Sequence, residues 1–136
     1  RIPRGEDEVR RLMTAWAGRE GEFPSAQDVR RYAGAMALPF VAHSAAEYYR
    51  WIGRNQLRWD GPVFNRRVGV PIDVPVLQLQ GRQDGCVLEP TAERSGRFVR
   101  GRYTYHTVDG AGHFLSEEAP EEVDKLLLDW LDALPD

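Results

Sequence analysis

Two stretches hold the side chains best suited to chemistry: GRQDGCV, with Asp84 and Cys86, and VDGAGHFLSEEAP, with His113. A carboxylate beside an imidazole fixes the ring's tautomer and stabilises the imidazolium formed when the ring takes a proton. His113 follows Gly110, Ala111 and Gly112, so nothing bulky crowds it on that side, and this spacing leaves the ring room to face a reacting group. Taken singly, each residue has a plainer reading. A turn histidine often bonds only a backbone carbonyl, and Asp before Gly is common in turns. Taken together, a candidate acid and a candidate base at two loop positions point to catalysis. Cys86 sits inside the acid loop and reads as a buried structural thiol, not as a nucleophile. His43, beside Ser44, and His106, within an apolar run, read as structural.

These loops need elements to hold them. DVPVLQLQG and RYTYHTVDG read as strands, rich in β-branched, aromatic and aliphatic residues, and Asp84 and His113 each lie just past the C-terminal end of one. EPTAERSGRFV between them reads as a helix with Pro90 in its first turn. PEEVDKLLLDWLDAL closes the chain, with Val123, Leu126, Leu127, Trp130, Leu131 and Leu134 at helical spacing. Strand, helix, strand, helix predicts a right-handed crossover between parallel strands. Ligand sites in open α/β sheets gather at the C-terminal strand ends, where both candidate residues fall.

Residues 1–57 predict helices instead. EDEVRRLMTAWA spaces Val9, Leu12, Met13 and Trp16 on one face, and Ser25 with Asp28 makes a capping box for a second helix carrying Val29, Tyr32, Ala33 and Met36. A third is expected from Ser44, with Glu47 as its box partner, separated from the second by Pro39. The Gly- and Pro-bearing residues 58–73 read as a connection, and 74–136 as the α/β part. Trp16, Trp59 and Trp130 are expected to serve packing.

Composition sets the outer bounds. The chain has 136 residues, 42% hydrophobic and 29% charged, with a net charge of −3 and scattered arginines, so nothing points to nucleic acid. No run approaches the ~18 apolar residues of a membrane helix. A single cysteine fits a reducing, cytoplasmic setting. Two parallel strands are too few to stand alone, because such strands are buried on both faces of larger sheets. With Arg1 as its first residue, the chain is expected to be a portion of a longer enzyme, unable to fold stably without it.

The residues 74–134 resemble the last third of an α/β-hydrolase. Gly81, Asp84 and Val87 match the family's acid loop, and Gly110, Gly112, His113 and Phe114 match its base loop, before a helix opened by Pro and Glu. The resemblance implies that Asp84 orients His113, with Asp60 the next candidate should the acid lie earlier. It also implies that residues 1–57 are the end of a helical cap. AEYYRWIGRN resembles the cap of epoxide hydrolases, and there Tyr49 would bind the substrate by donating to the epoxide oxygen; equally, Tyr48, Tyr49 and Trp51 would simply pack the cap.

One part of the family pattern is missing. No G-x-S-x-G or G-x-D-x-G elbow occurs in the chain, and Ser95 and Asp109 lie in the wrong elements. The nucleophile is therefore expected upstream, on an N-terminal part of the same enzyme acting as companion chain. The resemblance implies an epoxide hydrolase-like enzyme acting on a small apolar substrate, with no cofactor and no metal. A serine esterase or lipase using the same pair, or a non-catalytic ligand-binding homologue, are the alternatives.

Overall fold

The computed structural model describes residues 5–18 and 23–135. The chain divides into two units, Arg1–Leu12 with Ser25–Val70, and Met13–Pro24 with Pro71–Asp136. The first is helical and the second is α/β.

In the helical unit the sequence acts locally. α1 (Glu6–Trp16) begins with Glu6, Asp7 and Glu8 in its first turn, where carboxylates meet the positive end of the helix dipole. α2 (Ala26–Ala37) starts at the expected box: Ser25 Oγ accepts from the Asp28 amide at 3.2 Å, and Asp28 Oδ2 accepts from the Ser25 amide at 2.9 Å. Val29 is fully buried on its apolar face.

The third helix departs from expectation. α3 runs Val41–Leu57 from Phe40, which holds a left-handed backbone at φ 67°, so Ser44 and Glu47 lie inside it. The Ser44 amide already bonds the Phe40 carbonyl at 2.8 Å, which leaves it no orphan N–H to cap. Glu47 turns instead to Arg50 and Arg54, at 2.7 and 2.6 Å.

The stretch read as a connection also contains a helix, α4 (Gly61–Val68). Pro62 suits its first turn, where a missing N–H removes nothing. Trp59 just before it is 91% exposed and packs no core, contrary to expectation.

The α/β unit is built on β1 (Val76–Gly81) and β2 (Tyr103–Val108), paired in parallel from Val76 with Tyr103 to Gly81 with Val108. Between them α5 (Glu89–Glu93) passes into a 3₁₀ turn, Arg94–Phe98, not the single helix expected. Ser95 and Gly96 are poor helix formers, which shortens the α-helical part.

After β2 come α6 (Leu115–Glu118) and α7 (Pro120–Asp132). Val108, Ala111, Ala92 and Met13 form the buried apolar core of this unit. Of the expected apolar stripe, Val123, Leu126 and Trp130 on α7 and Leu134 just past its end are half-buried, while Leu127 and Leu131 are exposed. Two strands offer too little surface to cover a whole helix face. The Tyr105 hydroxyl and Trp130 Nε1 are buried with no hydrogen-bond partner among the described residues. No described helix is long and apolar enough to cross a membrane.

Candidate active site

Because Gly81 and Val108 end their strands opposite each other, the acid loop and the base loop leave the same edge of the sheet. The ladder continues past the strands. The Arg82 amide donates to the Val108 carbonyl and the Gln83 amide to that of Ala111, both at 2.9 Å. Gly81 makes this approach possible. A Cβ there would lie 2.2 Å from the Gly112 carbonyl oxygen and 2.6 Å from that of Ala111, inside any tolerable contact.

Asp84 and His113 come together. His113 Nδ1 stands 3.0 Å from Asp84 Oδ2, although the residues are 29 positions apart. The Asp84 side chain is only 7% exposed and that of His113 35%. Every lone-pair direction of the carboxylate is used. Oδ1 accepts from the amides of Cys86 and Val87 at 2.7 and 3.1 Å, and Oδ2 accepts from Gln80 Nε2 at 3.1 Å.

Burial pushes the Asp84 carboxyl up, but the hydrogen bonds from His113 and from the Val87 and Cys86 amides together outweigh it and hold the group below its ordinary 3.8. An ionised carboxylate can only accept, so Nδ1 of His113 is the donor in this bond, and in a neutral ring that leaves the lone pair on Nε2.

Two supporting residues were invisible to pattern reading. Gln80 is buried and also donates to the Val87 carbonyl at 2.9 Å, locking the acid loop from beneath. Glu118 holds the base loop: its Oε2 accepts from the amides of Gly18 and Gly112 at 2.6 and 2.9 Å, and its Oε1 from the Phe114 amide at 2.9 Å. No local motif signals either. Arg82 further ties the loops, bonding Asp109 and, at 2.7 Å, Thr107 Oγ1.

Gly112 has a different purpose from the one its place beside His113 suggests. A Cβ there would strike Gly18 N at 2.3 Å and Ala17 C at 2.5 Å, so the glycine admits the end of α1 against the loop. The His113 amide then donates to the Trp16 carbonyl at 2.9 Å, and the Trp16 ring meets the imidazole edge-on at 5.5 Å. Trp16 thus packs directly on the His113 ring.

The remaining expected residues are placed as follows. Cys86 is exposed, not buried, because its amide, not its thiol, is drawn to Asp84. Burial and then the Asp84 charge push its thiol up, the opposite of an activated nucleophile. Asp60 is taken by Arg58 through two bonds of 2.7 Å. Tyr49 belongs to the helical unit, on α3, 68% exposed and edge-on to Tyr48 at 5.5 Å. His43 and His106 are exposed.

Ligand atoms of Asp84, Cys86 and His113 lie within 4.8 Å of one another, a set that could hold a metal ion. The carboxylate's bonds to two amides, Gln80 and His113 would then have to yield, so the geometry favours the hydrogen-bonded pair.

Comparison with known proteins places these features in context. No protein-family model matches the chain. It is similar to epoxide hydrolase A of Mycobacterium tuberculosis, 36% identical over 66 residues, which are 48% of this chain and 20% of that protein. Its fold is similar to that of wild-type Cfl2 from Burkholderia cenocepacia (TM-score 0.69, 20% identity, covering 92% of this chain and 40% of that one). It also resembles a membrane phospholipase A described as a bacterial virulence factor (TM-score 0.66, 19% identity, 96% and 39% covered). The chain spans well under half the length of each of these proteins.

Proposed function

We propose that Asp84 and His113 are the acid and base of an α/β-hydrolase related to epoxide hydrolases, whose nucleophile lies on a companion N-terminal part. The observation that carries this reading is the bond of 3.0 Å between His113 Nδ1 and Asp84 Oδ2, set at the C-terminal ends of two adjacent parallel strands. The name of the similar protein, epoxide hydrolase A, is what favours an epoxide as substrate.

In this mechanism an aspartate carboxylate attacks an epoxide carbon, the C–O bond breaks, and a phenol donates a proton to the departing oxygen. The resemblance of AEYYRWIGRN assigns that donation to Tyr49. The product so far is a covalent ester. His113 Nε2 then takes a proton from water, hydroxide adds to the ester carbonyl, collapse frees the diol and restores the aspartate, and the proton left on His113 passes through solvent to the phenolate formed in the first half. Asp84 stabilises the imidazolium throughout. The histidine is needed only for the second half, since a carboxylate nucleophile is already ionised.

His113→Gln therefore separates the readings in the nucleophile-bearing enzyme. One turnover with an ester adduct in the intact mass is expected. A serine nucleophile needs the base from the start and gives neither burst nor adduct, which moves the assignment to an esterase. Unchanged turnover would remove His113 from the chemistry. Tyr49→Phe is expected to slow epoxide opening and leave simple ester hydrolysis untouched.

A further inference from the structure

We infer that Glu118 is a positioning residue for His113, gripping the backbone on both sides of the base with one carboxylate. This rests on reading His113 as the base, and it adds a residue that the acid–base pair does not include.

The geometry is specific. The amide before the histidine, that of Gly112, donates to Glu118 Oε2 at 2.9 Å, and the amide after it, that of Phe114, donates to Oε1 at 2.9 Å. The amide of His113 itself goes to the Trp16 carbonyl at 2.9 Å. Three consecutive N–H groups are thus fixed by α6 and the end of α1. The same Oε2 takes the Gly18 amide at 2.6 Å, so one carboxylate joins both supports. Bonds of this kind to an ionised acceptor are about twice as strong as neutral ones.

Gly112 is what brings the donors into reach, since any Cβ would push the Gly18 amide away. A merely structural acid would need only one such partner. Here the bonds bracket His113, and the imidazole they place must meet Asp84 at 3.0 Å while its other nitrogen stays free for the proton transfer of the proposed function. A shift of about 1 Å in such a group costs about 10²-fold in rate.

The test uses the complete enzyme with ¹⁵N-labelled histidine. The Nδ1–H proton of His113 is assigned by its loss in Asp84→Asn. In Glu118→Gln, either the Phe114 N–H or the Gly18 and Gly112 N–H groups face an NH2 that cannot accept, so the proton is expected to exchange with solvent at least about 10-fold faster. In the same variant kcat should fall about 10- to 100-fold, with KM within about 2-fold.

Glu121→Gln, which removes a like charge from the first turn of α7, should leave both readouts unchanged. Should Glu118→Gln fail to fold, Glu118→Asp keeps the charge and shortens the reach, and a faster-exchanging ring proton is expected there too. Wild-type exchange and kcat in a folded Glu118 variant would overturn the inference while the pair stands. A ring proton that survives Asp84→Asn would overturn the pair itself, and the inference with it.

Discussion

The two units differ in how far apart in sequence their polar partners lie, although local exposed pairs such as Lys125 with Asp129 occur in the α/β unit too. In the helical unit, partners are near neighbours in sequence: Ser25 with Asp28, Glu47 with Arg50 and Arg54, and Arg58 with Asp60. These pairs are solvent-exposed, and the two arginines draw the Glu47 carboxyl down to about 2 without the group leaving water. In the α/β unit, Asp84 finds His113 across 29 positions and Gly18 finds Glu118 across 100. Local pairs form whenever a helix forms and say little about function. Distant pairs exist only when the fold brings them together, and here they meet around His113.

The largest expected difference between the units is in turnover. Asp84→Asn keeps the shape of the carboxyl but reverses the tautomer preference of His113, and kcat should drop by about 10³–10⁴-fold. The matched change in the helical unit, Asp60→Asn, should leave kcat alone. Steady-state kinetics on the complete enzyme checks both, and a silent Asp84→Asn would erase the distinction.

Next come two glycines. Gly81→Ala drives a Cβ into the Gly112 carbonyl and should destabilise by about 1–3 kcal/mol, with the acid loop displaced from the base. Gly53→Ala, within α3 with nothing inside 4 Å of the added carbon, should stabilise by about 0.4–1 kcal/mol. Thermal melts of the two variants should move in opposite directions.

The pH response sharpens the comparison further. Asp84 has a folded carboxyl value below its ordinary 3.8, so its contribution to stability is complete above the unfolded value and disappears as pH falls through the folded one. Stability should therefore hold from neutral pH down to about pH 4 and fall only below that. Replacing Asp84 by Asn should shrink that acid limb, as read by denaturant midpoints across pH.

The smallest effect concerns Tyr105, whose hydroxyl is buried without a partner among the described residues. Tyr105→Phe removes the unsatisfied group and should be neutral or stabilising, by at most about 1 kcal/mol in a thermal melt.

The same contrast explains what the sequence revealed. Strand periodicity and the alternation of elements were enough to place Asp84 and His113 at one edge, because parallel pairing makes strand ends coincide. The Ser25 box was readable because its partners are three residues apart. Helix α4 was missed because Gly and Pro at a helix start look like those of a connection, and the start of α3 was placed too late, at Ser44, because Phe40 begins it without a capping side chain. Glu118 looked like ordinary acidic charge at a helix start. Only tertiary structure shows that its donors come from Gly18, Gly112 and Phe114.

The central claim is that Asp84 and His113 act as one unit, and a double-mutant cycle on the complete enzyme tests it most directly. We expect Asp84→Asn with His113→Gln to lose no more turnover than His113→Gln alone, because the carboxylate works only through the ring. Losses that multiply, with the double variant slower than either single one by the product of their factors, would mean that the two residues act independently and would contradict the account.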